Sequence, residues 1–218
     1  MGIKIRKGGL QTPQGFLFEL SGGDVSLDLV NTLDNRPIDD ARELIPVAAD
    51  FFSWSRQVGL LTPKQEEELL KKAEHEPQDA DNARRHAVQL RECLFQLFSS
   101  IADGRETSPE VLEQWNQFLK ESMQYYETTR IGDGLAWTAR SDIHGYDSAL
   151  WPIIHSAIQL LTGSQAARIR RCAGENCDWL FLDTSKRGNR RWCDMTICGN
   201  RAKARRHYQR KKSLELNE

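Results

Sequence analysis

Apolar positions along the chain recur mostly at helical spacing, with two strand-like exceptions ahead of a cysteine-rich end. Phe16, Phe18 and Leu20 alternate, as in a strand with one buried face; after Gly22-Gly23 the period lengthens. Leu27, Val30 and Leu33 then share a helical face, with Asp24 placed to cap the helix and Asn31 and Asp34 near its end as cap, turn or ligand-facing residues. Asn35-Arg36-Pro37 interrupts the pattern, and residues 40–59 resume it through Leu44, Val47, Phe51, Phe52 and Trp54. Thr62 before Pro63 supplies an N-cap and a first turn for the next helix. A longer amphipathic helix is predicted over 79–102, with Val88, Leu90, Leu94, Leu97, Phe98 and Ile101 facing a core. Asp103-Gly104 stops it, and Thr107-Ser108-Pro109-Glu110 opens another through Val111, Leu112, Trp115, Phe118 and Leu119. YYETTR and LAWTAR flank Ile131-Gly132-Asp133-Gly134, which predicts a hairpin turning at Asp133-Gly134 whose edges pair with a strand such as 16–20. Residues 147–161 return to helix, with Leu150, Ile154, Ile158 and Leu161 inward and Gly163 as the stop. The fold class is therefore mainly α with a small β component (α+β).

The pattern changes in character after Arg171. Four of the five cysteines form two C-x4-C pairs, Cys172 with Cys177 and Cys193 with Cys198, fifteen residues apart. Two close thiol pairs from separate segments match tetrahedral Zn²⁺ ligation, and four thiolates leave no open position for water, so one structural zinc is expected. Two disulfides or four buried thiols are the competing readings. The absence of a secretory signal favours the reduced, metal-bound form. Cys93 lies in the apolar run 90–98 and reads as a buried helix position. Trp179 to Leu182 and Arg191-Trp192 have strand character and bracket the turn-rich stretch 183–189, which predicts a knuckle, a hairpin and a second cysteine pair entering a helix, as in a treble-clef finger. Ala204 and Tyr208 form an apolar i,i+4 stripe expected to pack that helix on the knuckle.

Charge sharpens this picture. The whole chain carries a formal −1, but residues 168–212 hold fourteen Lys or Arg against four Asp or Glu, a net of +10. Residues 1–163 hold sixteen against twenty-five, a net of −9. An acidic body with a basic end points to a polyanionic partner. Arg187, Arg190 and Arg191 on the predicted hairpin, and Arg201, Lys203, Arg205, Arg206 and Arg210 on the helix, are the candidate phosphate contacts. Some of these arginines have a second use, neutralising the negative charge of a Zn(Cys)₄ centre. DNA is the expected partner and RNA remains open, since charge alone does not separate them.

The run Trp192-Cys193-Asp194-Met195-Thr196-Ile197-Cys198-Gly199-Asn200-Arg201-Ala202-Lys203, with Cys172, Cys177 and Phe181-Leu182-Asp183, resembles the signature of CGNR zinc-finger proteins. Leu27-Asp28-Leu29-Val30-Asn31-Thr32-Leu33, followed by Trp54 and Gly59-Leu60-Leu61, resembles the ABATE domain that accompanies this finger. The resemblance implies a helical ABATE-like domain over 1–163, a CGNR finger with a basic helix over 164–218, and a bacterial, stress-related transcription regulator that binds DNA through the finger. The body would then sense a signal or mediate self-association, a homodimer being one form of it; the effector, and any ligand role for Asn31 or Arg36, stay open.

No run approaches the roughly 20 apolar residues of a membrane span, which sets a cytoplasmic expectation, at the nucleoid if DNA is bound. His75, His86, His144 and His155 are the titratable residues an enzyme in the body would use. None sits in a catalytic motif, so no enzymatic activity and no catalytic residue are assigned.

Overall fold

The computed structural model describes residues 8–13, 15–37, 39, 41–140 and 145–215, so His144 lies outside the described residues. Strands β1 (Gly9–Thr12) and β2 (Gly15–Phe18) form an antiparallel hairpin. The Gln57 carboxamide secures β2, accepting from the Phe18 N–H at 2.8 Å and donating to its carbonyl at 2.7 Å. Helix α1 (Val25–Val30) starts where Asp24 accepts the Ser26 N–H at 2.9 Å, as its sequence position predicts. Ser156 also donates to the Asp24 carboxylate, at 2.8 Å, tying the cap to a distant helix. Leu27 and Val30 face inward, and so does Leu29. So short a helix is buried on more than one side because helices over Pro77–Ala102 and Leu150–Thr162 and a strand over Leu180–Leu182 all pack against it.

The stretch read as helix over 40–59 is helical only from Ala48. Strands β3 (Leu33–Asp34) and β4 (Arg42–Glu43) pair there instead, and α2 spans Ala48–Gln57. Pro46 disfavours the α region at Ile45, and the Glu43 carboxylate accepts the Ile45 N–H at 3.0 Å, which holds the chain extended. Val47, read as a core position, is 55 % exposed in consequence. Helices α3 (Pro63–His75), α4 (Pro77–Ala102) and α5 (Pro109–Ser122) each begin with proline. Thr62 and Gln65 form a reciprocal capping box on α3, and Ser108 caps α5.

After a 3₁₀ turn at Met123–Tyr125 come β5 (Tyr126–Ile131) and β6 (Gly134–Ala139). Their hairpin is the predicted one, but the turn falls a residue earlier, at Gly132-Asp133, because Ile131 pairs with Gly134 and Gly132 takes the positive φ of 57°. The β5-β6 pair is a sheet by itself and does not join β1-β2. It leans instead on α6 (Leu150–Thr162), where Tyr126 donates to the Trp151 carbonyl at 2.7 Å and the Trp137 ring meets Tyr126 and His155. A 3₁₀ turn at Tyr146–Ala149 leads into α6, and another at Ala166–Arg168 leads out of it into β7 (Ile169–Arg171). Strand β8 (Leu180–Leu182), a π-helical turn (Met195–Gly199) and helix α7 (Asn200–Glu215) complete the described chain.

The long helix α4 runs through the centre. Its Leu90, Cys93, Leu94 and Phe98 meet Leu27, Phe51, Phe52 and Trp54, all fully enclosed. Burial pushes the Cys93 thiol up to about 11, which fits an inert core position. Ile169, Leu180 and Leu182 belong to this same apolar cluster, so the β7-β8 hairpin is part of the body's core. A charged seam runs alongside. Arg91, 2 % exposed, makes paired 2.7 Å bonds to both Glu43 oxygens and reaches Thr32 and Glu92. Arg36 bonds Glu92 at 2.7 Å and stacks 4.0 Å over Phe95. Each cation is matched, so the seam fixes the β3-β4 loop to α4.

Candidate metal centre and basic helix

Cys172 follows β7 directly, Cys177 closes the loop before β8, Cys193 precedes the π-helical turn into α7, and Cys198 lies within that turn. All four are buried and their sulfurs lie within 4.8 Å of one another. The Cys177–Cys193 and Cys193–Cys198 separations are 3.6 and 3.7 Å. A tetrahedral Zn²⁺ with sulfur at ~2.3 Å requires S–S edges of about 3.8 Å, so this set fits one zinc. The Cys193 N–H points at the Cys172 sulfur, 3.4 Å away, the kind of bond that stabilises a thiolate. Hydrogen bonds from Cys177, Cys193 and Cys198 push the Cys172 thiol well below the ordinary range, while the bond to Cys172 pushes Cys177 and Cys193 up. Four sulfurs at one point share their protons, and a cation is what relieves them all. Gly174 is part of the fit. A Cβ there would stand 3.1 Å from the Cys177 Cβ and 3.3 Å from the Cys198 sulfur.

The finger's hairpin differs from the predicted one. Strand β8 pairs with β7, which precedes the first cysteine, and Arg191-Trp192 forms no strand. The Ala173 N–H bonds the Arg191 carbonyl at 2.8 Å, so the second segment crosses the knuckle by an isolated bond. Asp183, fully enclosed, shapes the 183–189 loop by accepting from the Ser185 and Arg190 N–H groups, both at 2.9 Å. The Arg190 guanidinium lies 4.6 Å over Phe181 and donates to the Trp192 and Cys193 carbonyls. It thereby braces the segment that carries Cys193. Arg187 and Arg191 are exposed, Arg191 lying 5.4 Å from the Trp192 ring.

Asp194 caps the π-helical turn, accepting from the Thr196 and Ile197 N–H groups at 2.6 and 2.9 Å, and α7 continues from that turn at Asn200. Arg201, Lys203, Arg205, Arg206 and Arg210 are all exposed on it. Tyr208 is 69 % exposed and Ala204 is exposed too, so the expected stripe does not pack on the knuckle; among the described side chains of α7, Ala202 alone is half-buried. Arg201 acts on the buried Asp34 carboxylate, whose pKa is raised by burial and drawn back by the Asn35 N–H and by Arg201. Arg205 pairs with Glu175 on the knuckle loop.

The body grips the finger at points that sequence reasoning missed. The Asn31 carboxamide bonds both backbone groups of Leu180, donating at 2.9 Å and accepting at 3.0 Å, 149 positions away. Asn31 thus holds a strand rather than a ligand, and Arg36 is engaged by Glu92, the Val30 carbonyl and Phe95. Leu182 N–H reaches the Gly22 carbonyl at 2.7 Å, and Arg171 bridges Asp103 and Asp178. A local reading of the chain carries no signal for such distant partners.

Residues 168–211 match the family model of the CGNR zinc finger. Residues 23–164, about two-thirds of the chain, match the ABATE family, described as "Putative stress-induced transcription regulator". The chain belongs to the ABATE family. Its four cysteines form the zinc site of a CGNR finger, in the amino-to-carboxyl order that the resemblance implied. No curated protein matches this ABATE chain significantly. Neither family description names an enzymatic activity. Among the described residues no helix is long and apolar enough to cross a membrane.

Proposed function

We propose that this ABATE protein is a zinc-dependent DNA-binding regulator, with residues 164–218 as the DNA-contacting finger and residues 1–163 as a body that senses a signal or mediates self-association. The observation that carries this reading is the exposure of Arg201, Lys203, Arg205, Arg206 and Arg210 on a helix whose root is tied to the Cys₄ cluster. Bound zinc supplies a structural cross-link between the knuckle and the start of α7. The cysteines hold the metal, Arg190 and Asp183 brace the loop, and the cations of α7 meet phosphates. A helix this charged on every side has little reason to remain uncovered in a purely structural role. Arg187 and Arg191 add exposed charge on the loop beside the knuckle.

Purified protein should contain about one zinc per chain, and its binding to duplex DNA should fall steeply with salt. Cys193→Ser should abolish that binding. Zinc-free protein that binds duplex as well as the loaded form would sink the proposal, and a marked preference for single-stranded RNA in direct competition would replace DNA with RNA as the partner. Sequencing the chromatin fragments bound in cells would locate the sites.

A further inference from the structure

Beside the cysteine cluster, the knuckle loop and the first turns of α7 enclose a cavity of about 190 Å³. One wall is Gly174, Glu175 and Asn176, and the other is Arg201, Ala202 and Arg205. Positions 201 and 205 are one helical turn apart, so both guanidinium stems rise from one side of α7, with the small Ala202 leaving room beside them. Gly174 brings the loop backbone close without a side chain. Glu175 reaches across to Arg205, and this ion pair is open to water, with 62 % of the Glu175 and 47 % of the Arg205 side chain exposed. An ion pair that wet is weak and changes partner readily. A carboxylate on a guanidinium also has the geometry of a phosphate on the same group. On the body side, Asp34 and Arg201 line a neighbouring crevice together.

We propose that this cavity is a seat for one phosphodiester of the nucleic-acid backbone, and that Glu175 occupies Arg205 until the phosphate displaces it. The proposal rests on the DNA-binding reading above and adds an internal competitor to it. Glu175 is an acidic residue whose removal should strengthen binding. It also makes the seat selective: a duplex offers many neighbouring phosphates and displaces the carboxylate, whereas an isolated monoanion gains little from the exchange.

The test uses the full-length, zinc-loaded protein and a short duplex of arbitrary sequence, titrated by fluorescence anisotropy over a series of KCl concentrations. Glu175→Gln is expected to tighten binding about two- to five-fold at low salt, with the gain shrinking as salt rises. Arg205→Gln is expected to weaken binding, and in that background Glu175→Gln should have no effect. Unchanged affinity in Glu175→Gln, or an equal gain with and without Arg205, overturns the local competition while leaving DNA binding intact. A wild-type protein that binds no duplex at any salt overturns both.

Discussion

The two halves of the CGNR finger live in opposite surroundings. Its β7-β8 hairpin contributes Ile169, Leu180 and Leu182 to the body's core and is bonded to Asn31 and Gly22, whereas α7 carries exposed residues over nearly its whole described surface. Both halves share one cysteine cluster, so the metal joins a mount to the helix proposed above as the working surface. Stability should therefore reside in the mount and binding in the helix, and substitutions should separate the two.

The largest effect is expected from breaking the joint itself. Chelating zinc, or Cys193→Ser, removes a contribution that reaches ~10–16 kcal/mol in isolated zinc fingers. Because the hairpin shares the body's core, the melting transition of the entire chain should drop and broaden. A calorimetric scan that keeps the body's transition in place would show two independent units.

Next comes the clamp. Asn31→Ala strips both backbone groups of Leu180 of their partners in a closed site, at ~2–4 kcal/mol for two buried polar groups. Urea unfolding reads the loss directly. An effect below about 1 kcal/mol would mean that the hairpin is held by packing alone.

Asp28 tests the body, reaching the finger only through Gly22, whose N–H it accepts at 2.8 Å. Its carboxyl is raised to about 6 by burial, against the hydrogen bond from Gly22. The folded protein keeps that proton between about pH 4 and 6 while the unfolded chain has released it, so stability falls as pH rises across this window and levels off above it. A shift of about two units corresponds to at most ~3 kcal/mol. Asp28→Asn should flatten the slope, as urea titrations at pH 4 and 6.5 would show; an unchanged slope would place the titration elsewhere.

The smallest effect on stability belongs to the working surface. Arg206→Ala should shift stability by less than ~0.5 kcal/mol, while reducing the slope of log affinity against log salt by about one. A protein that loses stability in step with binding would erase the division between mount and helix.

What the sequence made legible was local. Asp24, Thr62 and Ser108 cap helices within three residues of themselves, and those helices start as predicted. The cysteine spacing was legible because a tetrahedral metal constrains spacing directly. Strand β7 was not, since three residues with two arginines hold no pattern and their pairing is set by contacts across the knuckle. Val47 and Tyr208 show the opposite fault. Their spacing was apolar and periodic, but period alone does not say whether a surface lies opposite, and neither meets one.

The outer edge of β8 has a further consequence. Residues 180 and 182 point their backbone groups away from β7, and there Asn31 and the Gly22 carbonyl meet them. A side-chain amide thus stands in for a third strand and plugs an edge that would otherwise template the addition of another chain. If the clamp opens, the first hazard is stacking of one molecule's apolar Leu-Phe-Leu segment on another's. Keeping a zinc-poor or partly unfolded population soluble is thus a service of Asn31 quite apart from how tightly the finger is held.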